Sequence, residues 1–254
     1  MIIPTLLILF FLCWGSFLNV VAYRLIEEEH FFGYSKCTQC KHPIAWYDNI
    51  PIISYIVLQG RCRQCLYQIS LLYPFIEIFT TVCLTLLYYL VESEYLLAYF
   101  IFFSALIVTI RTDFETMLIS RWVTTALIPI GIIFSISDNI PIVPLNSILG
   151  AALGYFCLWL IGSLFYAITH KKGIGEGDFE LLAMIGAFTG VVGVWSTILI
   201  GSILGSIIGI IYLKSMGILK RDTKLAFGPF LAFGAIIYIL LQDQIYFFLM
   251  GPLN

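Results

Sequence analysis

The sequence predicts an all-α polytopic membrane protein of about eight transmembrane helices, with a small cytoplasmic loop domain between the first and second. Three observations lead there. Of the 254 residues, 61% are hydrophobic and only 11% charged, which leaves too little polar surface to cover a water-soluble domain. Apolar runs approaching the roughly 20 residues that carry a helix across hydrocarbon recur along the whole chain. The one sizeable polar stretch holds two Cys-x-x-Cys pairs.

Spans are expected at Ile2–Leu25, Leu71–Val91, Tyr95–Ile110, Trp122–Ile136, Ile148–Ile168, Leu181–Thr189, Val194–Leu213 and Ala226–Leu241. The first lacks a basic leading region and an Ala-x-Ala-like site after it, so it reads as a retained helix rather than a signal peptide. The sixth is short. It spans only if Asp178 and Phe179 begin the helix and residues 190–192 continue it.

The basic residues test this count. Arg24, Lys36, Lys41, Arg61 and Arg63 flank or occupy the first connection, Arg111 and Arg121 the third, Lys171 and Lys172 the fifth, and Lys214, Lys220, Arg221 and Lys224 the seventh. The even connections carry none of the 13. The positive-inside rule therefore expects the odd connections in the cytoplasm and both termini outside. The net charge of −2 by itself says nothing about partners, and no nucleic-acid partner is expected.

Residues 26–70 form the soluble segment, between a first helix at 1–25 and a membrane part at 71–254. Cys37-Thr-Gln-Cys40 and Cys62-Arg-Gln-Cys65, with 21 residues between them, have the spacing that gathers four thiolates around one tetrahedral metal, most often Zn²⁺. The competing reading is two redox pairs or unliganded thiols. Flanking cations Lys36, Lys41, Arg61 and Arg63 favour thiolates, and a segment this short buries so little core that a metal would supply much of its folding free energy. His42 reads as a solvated loop residue. Cys13, Cys83 and Cys157 stand singly in apolar runs, as small hydrophobes.

Residues 173–182 read Gly-Ile-Gly-Glu-Gly-Asp-Phe-Glu-Leu-Leu, a glycine-rich approach to one acid, Asp178, at the edge of an apolar run. The plain reading is a helix cap, since an acid at a helix start accepts the free N–H groups there. A second acid, Asp113, lies just past the third span and hence at the same expected membrane depth. Glu77 inside the second span and Asn19 inside the first are intramembrane polar groups, each either functional or a structural partner of a neighbouring helix. Arg24 is expected to snorkel to the interface.

Taken together, Gly15-Ser-Phe-Leu-Asn19 running on to Arg24, the paired cysteines, Trp46-Tyr-Asp48-Asn49-Ile-Pro51, Tyr73-Pro-Phe-Ile-Glu77, Asp113 to Ile119, Gly175-Glu-Gly-Asp178 and Ala226-Phe-Gly-Pro-Phe230 resemble the bacterial prepilin peptidases, the type IV leader peptidase family. The resemblance implies a G-x-G-D aspartic protease with Asp113 and Asp178 as the catalytic pair. One ionised aspartate would take a proton from the attacking water while the other, protonated, donates to the scissile carbonyl. Two close carboxyls would titrate in two macroscopic steps. The resemblance also implies type IV prepilins and type II secretion pseudopilins as substrates, cleaved where a basic cytoplasmic leader meets a membrane helix, within the cytoplasmic membrane. The acids Glu27, Glu28 and Glu29 either attract that leader or are a solvated surface.

Family members with the four-cysteine loop also N-methylate the new N-terminal residue from S-adenosylmethionine, so a second activity is expected, without assignment of a methyl-donor site; a peptidase alone is the alternative. Three positions depart from the family pattern. Glu180 stands where a lysine is frequent and adds a negative charge near Asp178. Ile119-Ser120 replaces Ile-Pro, and Thr38 replaces a proline between the first cysteines. Two other classes compete: a proton-coupled transporter using Asp113, Asp178 and Glu77, whose acids would be expected near the midplane within internal repeats, and a thiol oxidoreductase, which would want its cysteines on the oxidising side.

Overall fold

The computed structural model describes residues 2–30, 33–171, 173–215 and 226–245. Lys172 and the stretch carrying Lys220, Arg221 and Lys224 lie outside the described residues. The chain divides into two compact units, Met1–Tyr89 and Leu90–Asn254.

The first unit holds helix α1 (Ile2–Ile26), a 3-10 turn at Trp46–Asn49, the five-residue helix α2 (Ile53–Val57) and helix α3 (Leu72–Leu90). α1 and α3 run antiparallel in direct contact: a Cβ placed on Gly15 would lie 3.0 Å from the Cα of Glu77, and the amide of Asn19 donates to the Tyr73 carbonyl at 3.1 Å. Small residues and buried side-chain hydrogen bonds are how helices associate where no hydrophobic force drives them together. Asn19 and Glu77 are thus partners of neighbouring backbone within this unit.

The second unit holds α4 (Leu96–Thr116), α5 (Arg121–Ile136), α6 (Pro144–Thr169), α7 (Glu176–Ser215) and α8 (Gly228–Leu240). α7 is two helical arms joined at Gly190, whose φ 68° and ψ −172° are not helical and form a conformation that favours glycine. The chain turns back there. Gly193 meets the Tyr238 ring, Gly234 the Thr197 carbonyl and Gly201 the Phe230 carbonyl, so the second half of α7 runs antiparallel to α8. The side chain of Asn146 accepts the Val191 N–H at 3.1 Å and satisfies a donor freed by the break. α6 lies so close to the first half of α7 that a Cβ on Gly150 would be 2.4 Å from the Gly186 carbonyl oxygen, and one on Gly154 2.4 Å from that of Leu182.

The sixth and seventh expected spans are therefore the two arms of one broken helix. Among the described residues α1, α3, α4, α6 and α7 are long and apolar enough to cross a membrane, while α5 and α8 are shorter apolar helices. Arg111, expected in a connection, is inside α4 and fully buried, because α4 runs two turns beyond the expected end. Its guanidinium pairs with Glu115 one turn on, and Thr112 and Thr116 donate back to the carbonyls of Thr109 and Thr112, so these polar groups of the extension find partners within the helix itself.

Candidate active site and metal centre

Within the second unit, Asp113 lies near the end of α4, one turn before Met117. Met117 takes a left-handed conformation (φ 55°, ψ 32°) and returns its N–H to the Asp113 carbonyl at 2.9 Å, which stops the helix and leaves the Asp113 side chain facing inward. That side chain is buried, and its Oδ2 has no hydrogen-bond partner among the described residues.

Asp178 sits in the first turn of α7, also buried. Its Oδ2 accepts the Gly175 N–H at 3.3 Å, and its own N–H reaches the Gly175 carbonyl at 3.1 Å. An acid at the third helical position reaching back to the residue before the helix is half of a capping box. The plain reading holds in that sense, but it engages only one of the two carboxylate oxygens.

Three chain segments converge between these acids. Ile119, just after α4, packs against both glycines that begin the later helices: a Cβ on Gly177 would lie 2.9 Å from its Cβ, and one on Gly228 would lie 2.9 Å from its Cδ1 and 2.6 Å from Asp113 Oδ2. The Gly228 backbone N–H, at the positive end of α8, interacts with the Asp113 carboxylate. Asp113 and Asp178 are near enough for their charges to interact. Glu180, two residues on, is buried and held by Arg121, Nη2 to Oε1 2.7 Å and Nε to Oε1 2.8 Å, with Thr124 Oγ1 at 3.4 Å from Oε2. The sequence reading did not foresee the parts of Ile119, Gly228 or Arg121. A Gly-Pro pair opening an apolar helix was the available signal for Gly228.

In the first unit the four cysteines are gathered. The Sγ atoms of Cys37, Cys40, Cys62 and Cys65 all lie within 4.8 Å of one another, and Cys37 and Cys65 are 3.8 Å apart, close to the edge of a tetrahedron with metal–sulfur bonds of about 2.3 Å. Two copies of one turn build the site. Cys37 N–H bonds the His42 carbonyl and Lys41 N–H the Cys37 carbonyl; twenty-five residues on, Cys62 N–H bonds the Tyr67 carbonyl and Leu66 N–H the Cys62 carbonyl. Lys41 and Leu66 both have positive φ (55° and 58°). The repeat runs from Ser35–Ile44 to Gly60–Ile69, each closed by an N–H at its end bonding the carbonyl at its start, Ile44 to Ser35 and Ile69 to Gly60. His42 contributes its carbonyl, not its ring. Backbone N–H groups of Cys65 and Gln64 lower the Cys62 thiol to about 7. The Tyr67 N–H favours the Cys65 thiolate, yet desolvation and the neighbouring Cys40, Cys62 and Cys37 thiols push Cys65 up to about 11. A cluster in which like groups oppose each other's ionisation is the donor set that a divalent cation relieves.

Residues 9–91 match the model of the bacterial peptidase A24 N-terminal domain, and residues 100–210 that of the type IV leader peptidase family. A prepilin leader peptidase/N-methyltransferase of Legionella pneumophila is 36% identical over 262 residues, 93% of this chain and 91% of the relative. The chain belongs to the type IV leader peptidase family. Relatives of the same name from Pseudomonas putida and Neisseria gonorrhoeae are 33% and 31% identical, each over 91% of this chain and 88% of its own length. No solved structure matches. In this family member Asp113 and Asp178 both fall in the stretch matched to the leader peptidase family, the four cysteines fall in the stretch matched to the N-terminal domain, and Gly228 lies beyond both.

Proposed function

We propose that the protein is a prepilin leader peptidase, with Asp113 and Asp178 as its aspartic pair, that removes the basic leader of type IV prepilins and type II secretion pseudopilins and then N-methylates the exposed residue. The observation that carries this is that two buried carboxylates from separate helices lie near enough for their charges to interact, in a member of a leader peptidase family. A buried carboxylate oxygen without a protein partner, as on Asp113, suits a water or a substrate carbonyl.

The ionised member of the pair takes a proton from water as its oxygen bonds to the scissile carbonyl carbon. The protonated member gives its proton to the carbonyl oxygen. Collapse of the resulting diol breaks the C–N bond, and the leaving amine takes back a proton. S-adenosylmethionine supplies the methyl group of the second activity; no residue is assigned to hold it.

The division into a first helix at 1–25, a four-cysteine segment at 26–70 and a peptidase part at 71–254 belongs to the same proposal. So does placement in the bacterial inner membrane with cysteines and acids facing the cytoplasm and both termini outside, on the distribution of Lys and Arg. Cys37, Cys40, Cys62 and Cys65 would hold Zn²⁺, whose role would be to fix the fold of their segment.

The test is cleavage of a prepilin by the purified protein in detergent, beside Asp113→Asn and Asp178→Asn, with mass spectrometry of the product N-terminus. Both variants are expected to fold and to lose cleavage, and the wild-type product is expected to gain a methyl group only with S-adenosylmethionine. Full cleavage by either variant would overturn the aspartic mechanism and return attention to proton-coupled transport; an unmethylated product would reduce the protein to a peptidase.

A further inference from the structure

Between the cysteine turns lies a segment whose surface does not suit water. Of Trp46, Tyr47, Ile53, Ile56 and Val57, Trp46 is 81% exposed and the last three are 58%, 67% and 68% exposed. Ile53, Ile56 and Val57 share one face of α2 by their i, i+3, i+4 spacing, and Ser54 on the other face is buried.

The depth of this segment is set by Glu77. The Ile52 N–H donates to Glu77 Oε2 at 2.8 Å, and Ser16 on α1 lies close enough to influence that carboxylate. Glu77 is five residues into α3, about 7.5 Å from its start at the rise of an α-helix. It packs against Gly15 of α1, nine residues or about 13 Å before Arg24, the first charge on that helix. Ile52 is therefore drawn down alongside two apolar helices, well below the level of Arg24. On those helices Phe17, Phe75 and Ile78 are exposed in the same way.

The backbone is arranged for such a place. Irregular chain at membrane depth needs its polar groups satisfied by protein. Ile52 has φ 62° and ψ −50°, and the Ile53 N–H closes back on the Pro51 carbonyl at 2.6 Å, a γ-turn of the rare, strained, positive-φ kind that a β-branched residue seldom adopts. That turn orphans the Ile52 N–H, which Glu77 accepts. Ser54 Oγ donates to the Tyr47 carbonyl at 3.0 Å, and the Ser54, Ile56 and Leu58 N–H groups bond to the carbonyls of Ile50, Ile52 and Ser54.

We propose that Ile50–Val57 is a re-entrant segment that dips into the bilayer beside α1 and α3, with the Ile53, Ile56 and Val57 face against lipid acyl chains, Glu77 as its anchor, and the turn at Trp46–Asn49 left at the headgroup boundary. The cysteine turns on either side thereby stay pinned to the membrane surface. Tryptophan and tyrosine at the margin, with Arg63 over the Tyr47 ring at 5.7 Å, are the groups that sit at a headgroup boundary.

The experiment reconstitutes the full chain in phosphatidylcholine–phosphatidylglycerol vesicles and compares wild type with Trp46→Phe, so that the difference in fluorescence reports Trp46 alone. The Trp46 component is expected to emit to the blue, to be quenched by lipids brominated near the top of the acyl chain, and to resist aqueous acrylamide. Glu77→Ala is expected to reverse this pattern, and Glu77→Gln, which keeps an acceptor, to preserve it. If Glu77→Ala does not fold, the wild-type comparison decides alone. Quenching of Trp46 by acrylamide and not by brominated lipid would overturn the proposal. So would a Trp46 component that responds to an added prepilin peptide but not to lipid bromination, which would assign the face to substrate.

Discussion

The buried carboxylate of Glu180, two residues past Asp178, is gripped by the guanidinium of Arg121 at 2.7 Å, while the Arg121 side chain itself is 68% exposed. The added negative charge foreseen beside Asp178 is thus matched by a cation from the start of α5. Arg121→Ala leaves that carboxylate buried and unpaired. Because the arginine is largely solvated, the expected loss is smaller than that of a fully buried pair and is read as a lower midpoint of thermal unfolding in detergent. Glu180→Lys alone sets two cations together and is expected to cost more than the double variant Arg121→Ser/Glu180→Lys; equal losses would count against the pairing.

Gly228 permits the start of α8 to reach Asp113. A Cβ there would sit 2.6 Å from Asp113 Oδ2 and 2.9 Å from Ile119, so Gly228→Ala is expected to lower kcat by about 10²-fold, on the scale of a displaced acid–base group, with KM for a prepilin nearly unchanged. Gly234→Ala, whose Cβ would meet the Thr197 carbonyl at 2.7 Å, is the control. It should lower stability without that selective effect on kcat.

Metal removal is expected to unfold the cysteine turns. Structural zinc contributes on the order of 10 kcal/mol to such small segments, so a strong chelator, or any one of Cys37, Cys40, Cys62 and Cys65 changed to serine, should expose residues 35–69 to protease cleavage. Protection that persists after the metal is shown to be absent would refute the four-thiolate site.

Asp48 and Arg63 tie the 3-10 turn to the second cysteine pair, Oδ1 to Nη2 at 2.6 Å and Oδ2 to Nε at 2.8 Å. The Arg63 hydrogen bonds hold the Asp48 carboxyl below its ordinary 3.8. A depressed acid contributes stability above its unfolded pKa and loses it as pH falls through the folded value. At pH 7 Arg63→Gln should therefore lower the thermal midpoint only slightly, as suits a solvent-screened pair. The gap between variant and wild type should close as pH drops below about 4; a gap independent of pH would mean that the loss is one of packing.

Gly154→Val tests the α6–α7 contact. Its Cβ would lie 2.4 Å from the Leu182 carbonyl oxygen, backbone that cannot swing aside, so a loss of about 3 kcal/mol or more is expected, measured as a drop in thermal midpoint. Gly162→Ala, whose Cβ would meet the Phe179 ring at 3.3 Å and the Ile174 Cβ at 3.9 Å, should be nearly neutral.

Composition, hydrophobic runs and local motifs carried much of this protein into view from its sequence. Lipid-compatible helices follow from apolar length alone, and the four cysteines follow from a spacing that chemistry restricts to few uses. The acids Asp113 and Asp178 stood out because a charge at the edge of an apolar helix demands a reason. Other features depend on parts of the chain that meet only after folding. The extension of α4 past Ile110 rests on hydrogen bonds and a pair within the helix that hydropathy does not weigh. The reversal at Gly190 rests on one φ angle inside an otherwise helical pattern. Glu77 reads as an intramembrane acid in sequence, but its use is set by an N–H twenty-five residues earlier, at Ile52. Ile119 and Gly228 are ordinary residues whose role is the absence or presence of a few atoms between two acids, and Glu180 has a charge whose effect is decided by Arg121 fifty-nine residues away. Which residues belong in lipid, which can hold a metal and which acids need explaining are legible along the chain, because those are properties of single segments. Only the tertiary structure decided which acid lies beside which glycine and which cation, because close approach and charge pairing are properties of segments brought together.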